Sequence, residues 1–302
     1  MKRSVGDHIF DTFNIVLLAL LALITLLPFW TLIMSSFVGP REYFSKAMVL
    51  WPSDPNISAF RFLFGTDWIF HGYRVSFIVT IFGTLHSMLL VLTCAYPMSS
   101  DDLPGRKGIH YYFLFTMFFG GGMIPYFILV TRYLRLTDNL LALIITNGLP
   151  VWSYLVMRNF IKNIPSEMRE SAILDGATEW QVLKNVIIPL PMPAIATLTL
   201  FSAVGNWNAW MNALLFINSD KNLPLPLILR RIVIDANERA GSPGYQEMMN
   251  AYRRYMGDGT QDVFDTAVQN ATIAVTALPI MCLYPFFQKH FVKGVLLGSV
   301  KG

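Results

Sequence analysis

The sequence predicts an all-α integral membrane protein with six transmembrane helices. Two observations lead to this fold class. The chain has 302 residues, of which 54% are hydrophobic and only 14% are charged, whereas soluble domains average about 25% charged residues. Six uncharged runs are each long enough to cross a bilayer core of about 30 Å, and polar segments separate them along the chain.

The six uncharged runs are the predicted transmembrane segments. They are Thr12–Pro40, Val75–Ser100, Ile109–Thr131, Asn139–Met157, Asn185–Ser219 and Thr266–Gln288. The last three contain Asn, Pro and Gly, which membrane helices tolerate where they pack on one another or line a cavity. The first run is longer than a signal-peptide core and lacks a small-residue cleavage site after it, so a retained helix is expected.

Basic residues near both termini favour a cytosolic location for each of them. Lys2 and Arg3 precede the first run and a basic tail follows the last, and such residues concentrate on the cytoplasmic side of membrane proteins. The remaining loops do not decide the orientation by their charge. The resulting organisation is a first helix with its outer loop at 1–74, a transmembrane core at 75–288 with a cytosolic loop at 159–190 and an outer loop at 220–265, and a cytosolic tail at 289–302.

The first outer loop contains an aromatic run from Phe60 to Phe64. Aromatic side chains are favoured at the boundary between lipid and water. This run therefore predicts a short helix at the membrane interface.

The polar loop at 159–190, here called the island, joins the fourth and fifth apolar runs. It carries the most specific pattern in the chain. Pro165 favours the start of a helix there, and Gly176 permits the backbone that ends one. Thr178 and Gln181 have the spacing of a capping box, which predicts a second short helix to about Ile188. The small residues could admit the backbone of a partner protein or could pack on neighbouring membrane helices. The residues alone favour these two interpretations equally.

The island resembles the EAA loop of permease subunits of ATP-binding-cassette importers. The matching positions are Glu170, Ala172, Asp175, Gly176, Ala177, Pro189 and Pro193. Ser171, Leu183 and Ile188 depart from the family pattern by small changes in size. The resemblance implies that Glu170, Ser171, Ala172, Asp175, Gly176, Ala177 and Pro189 couple this subunit to a cytosolic ATPase.

Further motifs resemble a branch of the maltose-type carbohydrate permeases. They are Gly120 to Pro125, Met157 to Phe160, Asn206 to Trp210, Leu223 to Leu227 and Gly298 to Gly302. This resemblance covers nearly the whole chain. It implies the transmembrane domain of a type I ABC importer in the cytoplasmic membrane, importing a sugar or oligosaccharide such as one derived from alginate or pectin.

The same resemblance implies the partners of the chain. They are a second permease subunit in a heterodimer, two ATPase subunits and an extracytoplasmic substrate-binding protein. No cofactor is expected on this chain, since ATP and Mg would lie on the ATPases. The tail from Lys293 to Gly302 is implied to reach the ATPase pair.

The fifth run is rich in amides and indoles and is the candidate substrate pathway. Its members are Asn206, Trp207, Asn208, Trp210 and Asn212. In one continuous helix, Asn206 and Trp210 would share one face while Asn208 and Asn212 would share nearly the opposite one. One face is hypothesised to line the sugar pathway, because amides and an indole suit sugar rings. Asparagines that hold helices together are an equally good interpretation for either face.

The outer loop at 220–265 contains Gly241, Ser242, Pro243 and Gly244. In maltose-type permeases a loop tip reaches into the docked binding protein, so these four residues are candidates for that contact. An ordinary outer turn explains the same composition.

Other functional classes fit the sequence less well. A membrane enzyme would need an acid–base, nucleophilic or metal cluster, and none of the uncharged runs contains Asp or Glu. Cys94 and Cys282 both lie in predicted spans, which implies no disulfide framework or metal pair. An ion-coupled secondary transporter would show repeated halves and intramembrane ionisable groups. There is no phosphate-binding loop of the G-x-x-x-x-G-K-[ST] type, and the small net charge of +4 gives no case for nucleic acid. An ABC permease for a non-sugar solute remains the alternative.

Overall fold

The computed structural model describes residues 5–238 and 266–282, and every regular element in these two ranges is helical. The helices, with π and 3₁₀ turns left unlabelled, are α1 Val5–Ser35, α2 Pro40–Ser45, α3 Ser58–Phe64, α4 Asp67–Ser99, α5 Arg106–Phe118, α6 Met123–Ile128, α7 Leu141–Ile144, α8 Val151–Lys162, α9 Ser166–Leu174, α10 Glu179–Val182, α11 Met192–Trp207, α12 Trp210–Phe216, α13 Leu225–Glu238 and α14 Thr266–Cys282. The predicted all-α class is confirmed. The described parts of Met1–Ile69 and Leu229–Leu278 form one compact unit, and those of Phe70–Ile228 and Pro279–Gly302 form another.

In the first unit, α1 is a long apolar helix whose side chains are almost entirely exposed. None of its most apolar stretch is buried within the protein, so these side chains are available to lipid or to a partner. The predicted aromatic helix is present as α3. Phe62 and Leu63 are fully buried in it, and Phe60 stacks on Phe37 with ring centroids 4.7 Å apart. The short helix is therefore held by packing within the unit as well as by its aromatic composition.

Glu42 of α2 organises the loop that follows it. Its Oε1 accepts from Lys46 Nζ at 2.5 Å and from the backbone N–H of Ser53 at 2.7 Å, and its Oε2 accepts from the N–H of Asp54 at 3.3 Å. The hydrogen bond from Lys46 is the main reason that the pKa of Glu42 falls to about 2. The carboxylate is therefore ionised at any physiological pH and ties α2 to the start of the next segment.

Among the residues the structure describes, two single helices are long and apolar enough to cross a membrane. They begin at Gly6 and Asp67, and the count rises to four if each bent pair is one span. The third predicted run bends by 109° between α5 and the segment Met123–Tyr133, where Gly122 has a φ of +85°. The fourth is divided into α7 and α8. The predicted number of six spans therefore stays a prediction.

The fifth predicted run contains two breaks. A 90° bend separates Glu179–Ile187 from α11, because the prolines at 189, 191 and 193 lack the N–H groups that a continuous helix needs. A second break falls at Asn208 and Ala209, between α11 and α12. The assumption of one continuous helix over this run was wrong. The face assignments that depended on it do not hold.

The core of the second unit joins the C-terminal half of α4 to α8, α11 and the segment that follows α10. Tyr154 and Met157 are fully buried in it together with Val91, Ala95 and Val182. Deletion of a buried side chain of this size costs about 2–5 kcal/mol, so this cluster contributes strongly to the stability of the unit. The polar island is built directly upon it.

Candidate coupling loop and transport pathway

The first helix of the island, α9, ends in a Schellman motif. The N–H of Gly176 donates to the carbonyl of Ile173 at 2.9 Å, and the N–H of Ala177 donates to the carbonyl of Ala172 at 3.0 Å. Gly176 has a φ of +85°, which is the left-handed conformation that this motif requires. The predicted glycine turn is confirmed. Pro165 precedes the first helical residue by one position.

The second helix, α10, begins with the predicted capping box. Thr178 Oγ1 accepts from the N–H of Gln181 at 3.4 Å, and Gln181 Oε1 accepts from the N–H of Thr178 at 2.7 Å. The helix continues into a π-helical turn that ends at Ile187. Pro189 follows this end, at the predicted position.

The inner side of the island packs on the core of the second unit. Val182, Leu183 and Ile187 are buried in that core, and Ala172 and Ala177 contact it while half-buried. The structure thus places two of the small candidate coupling residues, Ala172 and Ala177, on the side that faces the protein itself. Their small side chains let the turn around Gly176 lie close to the core.

The outer side of the island combines exposed polar and apolar groups. Glu170, Ser171, Asp175 and Gly176 are exposed. Beside them Leu174 is 87% exposed and Trp180 is 66% exposed. Neither of these apolar residues is among the predicted site residues. The sequence did contain an indication of them. Large apolar side chains in a polar loop cannot be buried in the membrane core, so they are candidates for contact with a partner.

A groove runs beside Glu170 along the edge of the island. Its volume is about 780 Å³, and its lining includes Leu103 and Lys162 as well as Arg169, Glu170 and Trp180. Apolar and charged groups of both signs therefore meet at one concave surface. Such a surface can receive side chains of a partner protein.

The turn between α4 and α5 is fixed by charged groups next to this groove. Asp101 pairs with Arg106, and Lys162 Nζ lies 3.9 Å from Asp101 Oδ1. The hydrogen bond from Arg106 lowers the pKa of Asp101 below its usual value. Arg158 Nε donates to the carbonyl of Met98 at 2.8 Å. The end of α4 is thereby attached to α5 and α8.

An amide network spans the break between α11 and α12. Asn206 is 7% exposed, and its Nδ2 donates to Thr84 Oγ1 at 3.3 Å and to Ser202 Oγ at 3.4 Å. Asn147 Nδ2 donates to Asn206 Oδ1 at 3.2 Å, and Asn212 Nδ2 donates to Asn147 Oδ1 at 3.0 Å. Asn206 and Asn212, which a continuous helix would separate, are connected through Asn147.

The other candidates in this run fall into two environments. Trp207 is 3% exposed, and its ring meets Phe77 edge-on with centroids 5.4 Å apart. Asn208 is exposed, and Trp210 is half-buried. Gly83 lies so close to Asn206 that a Cβ there would be 3.0 Å from Asn206 Cγ.

The segment from Gly241 to Gly244 lies outside the described residues.

No group of three or more His, Cys, Asp or Glu side chains that could hold a metal occurs within residues 5–238 and 266–282.

Long apolar helices, a broken span that carries an amide network, and a polar loop with exposed Leu174 and Trp180 fit a membrane transport subunit. Residues 1–297 match the family described as the binding-protein-dependent transport system inner membrane component. The chain belongs to this family.

Several relatives resemble the chain over almost its whole length. The polygalacturonan/rhamnogalacturonan transport system permease protein YtcP of Bacillus subtilis (strain 168) is 40% identical over 98% of this chain and 99% of its own. Protein LplC of the same organism is 35% identical over 100% of this chain and 98% of its own. A chain of a bacterial ABC transporter involved in the import of the acidic polysaccharide alginate matches with a TM-score of 0.83 and 28% identity, covering 96% of this chain and 99% of that one.

Family membership has direct consequences for this chain. It is an inner-membrane permease component of a transport system that depends on a binding protein. Its role is therefore non-catalytic, and ATP hydrolysis belongs to a separate subunit.

Proposed function

We propose that the chain is one permease subunit of an ATP-driven importer of acidic oligosaccharides. Two similarities support the choice of substrate, because the relative named for polygalacturonan and the structure named for alginate both concern polymers of uronic acids. The alginate structure shares 28% identity with the chain as well as its fold. Oligogalacturonides and oligoalginates are therefore the substrates of first choice.

The proposed assembly has this chain and a second permease subunit on either side of one pathway. Two ATPase subunits lie below them, carrying ATP and Mg, and a substrate-binding protein docks outside. Both termini and the loop at 159–190 are cytosolic, while the loop at 220–265 faces outward. Closure of the ATPases rocks the permeases between inward-open and outward-open states.

The exposure of Leu174 and Trp180, which form the tip of the island, is the observation that supports the coupling role. Leu174 is 87% exposed, although the helix that holds it is anchored to the core through Ala172. Burial of such a side chain against a partner is worth about 1.5–3 kcal/mol. We assign ATPase coupling to the set Glu170, Ser171, Ala172, Asp175, Gly176, Ala177 and Pro189, with Leu174 and Trp180 as added contacts.

The amide network indicates two different roles for the residues of the proposed pathway. Asn206 and Trp207 are buried and hold the break between α11 and α12. Asn208 and Asn147 are exposed, whereas Trp210 and Asn212 are half-buried. We assign contact with sugar to these four residues. We assign to the buried residues Asn206 and Trp207 the role of holding the four in position.

Transport measurements in proteoliposomes test the proposed function. The complete complex is reconstituted with its binding protein and given labelled tetragalacturonide or, as a neutral control, maltotetraose. We expect ATP-dependent uptake and stimulated ATP hydrolysis with the acidic tetrasaccharide only. Uptake of maltotetraose alone would contradict the substrate class. Uptake driven by an ion gradient without ATP would contradict the whole assignment and favour a secondary transporter.

A further inference from the structure

Glu179, the first residue of α10, joins three separate elements of the second unit. Its Oε1 accepts from Arg169 Nη2 of α9 at 2.6 Å, and its Oε2 accepts from Tyr96 Oη of α4. The two oxygens of one carboxylate thus bind the outer helix of the island on one side and a membrane-spanning helix on the other.

The local fold of the island does not depend on this carboxylate. The start of α10 is already held by Thr178 and Gln181 in the capping box. The turn after α9 is held by backbone hydrogen bonds at Gly176 and Ala177. The contacts of Glu179 therefore add a connection between elements that already have their own shape.

The connection is made with charge-assisted hydrogen bonds near the C-terminal end of α4, where the Glu179 side chain is 57% exposed. Hydrogen bonds to an ionised group are roughly twice as strong as those between neutral groups. Donation from Tyr96 is the largest cause that lowers the pKa of Glu179, and Arg169 lowers it further. The carboxylate is accordingly ionised at neutral pH, when it can hold both donors at once.

The helix α4 leads from this contact to the candidate pathway. Tyr96 lies near its cytosolic end, and Thr84 of the same helix accepts from Asn206 at the break before α12. Twelve residues separate the two positions, which is about 18 Å along an α-helix. A displacement of the island that moves α4 along its axis would reach the amide network without any further intermediate.

We propose that Glu179 is the positioning residue that transmits motion of the coupling loop to α4, with Tyr96 and Arg169 as its partners. This inference rests on the proposed ATPase-coupling role of the island. Glu179 touches neither substrate nor nucleotide in this scheme. It acts by keeping α9, α10 and α4 in fixed relative positions, so that these helices move together when an ATPase displaces the exposed tip.

The test compares uptake with ATP hydrolysis in the reconstituted complex, using tetragalacturonide and the binding protein. In Glu179→Gln and Tyr96→Phe we expect the amount imported per ATP hydrolysed to fall at least about fivefold. ATP hydrolysis and retention of the ATPases during purification are expected to persist. Glu167→Gln of α9, which removes the same charge from the same loop, is the matched control and is expected to keep the wild-type ratio.

A double-mutant cycle gives a readout that a merely structural role would not move. If the two residues act through one contact, Tyr96→Phe with Glu179→Gln together lower the ratio no further than either change alone. An unchanged ratio in both single variants, or additive losses in the double variant, would overturn the inference. Loss of the ATPases from the purified variants would also overturn it, since Glu179 would then serve docking. Failure of the wild-type complex to couple ATP to uptake would instead contradict the proposed function.

Discussion

Replacement of Gly176 by leucine is expected to lower ATP-dependent uptake at least about tenfold while the complex still folds. Two effects combine at this position. A φ of +85° costs an L-residue about 1–2 kcal/mol. The added side chain has open space around it within the chain, so it projects outward into the surface that the ATPase is proposed to cover. Uptake and binding-protein-stimulated ATP hydrolysis of the reconstituted variant are the measurements.

Gly105 offers a matched control for backbone strain. It lies in an exposed turn of the same unit with a φ of +74° and has the same open surroundings. Gly105→Leu therefore introduces a similar strain away from the tip of the island, and near-normal coupling is expected. Equal losses in both variants would show that strain alone explains the effect at Gly176. Normal coupling in Gly176→Leu would contradict the role of the loop.

Replacement of Asn206 by alanine is expected to disrupt the broken span from within. The change removes the acceptor of Asn147 and the donor to Thr84, and loss of a buried hydrogen-bond partner costs about 1–3 kcal/mol. We expect a lower thermal unfolding temperature of the purified complex. In this variant Asn147 loses its contact with Asn206, and Asn147 in turn holds Asn212. We therefore also expect the maximal uptake rate to fall about tenfold.

Asn208→Ala separates support from substrate contact. Asn208 is exposed beside the same break, so this variant is expected to keep the unfolding temperature of the wild type and to raise the KM for uptake. Gly83→Ala should shift the Asn206 amide by a few tenths of an ångström, since the added Cβ would lie 3.0 Å from Asn206 Cγ. Wild-type stability and uptake in Asn206→Ala would show that the network is dispensable.

Local interactions explain which parts of the candidate site the sequence could predict. The capping box joins residues three positions apart, and the glycine turn is completed by contacts within five residues. The relevant side chains and their spacing are therefore both visible in a short stretch of sequence. Pro189 ends the helix for an equally local reason, because it has no N–H to donate.

Long-range interactions explain what the sequence did not reveal. Asn206 is bound by Asn147 and Thr84, which lie 59 and 122 residues away in the chain. No pattern within the fifth run could show that these partners stabilise a break at Asn208. The exposure of Leu174 likewise depends on which face of α9 packs on the core. Apolar composition revealed the spans, but it did not locate the bend near Gly122 or the break at Asn208 within them.

The central claim is that the exposed tip of the island contacts an ATPase and conveys its motion. Photo-cross-linking from Leu174 tests it most directly, with Leu174→Cys carrying a benzophenone group in a background where Cys94 and Cys282 are replaced. Phe44, which is 77% exposed on the proposed outer side, provides the control site. Our account predicts a cross-link from position 174 to the ATPase subunit that blocks uptake, and none from position 44. Absence of an ATPase cross-link at 174 in an assembled, transport-competent complex would contradict it.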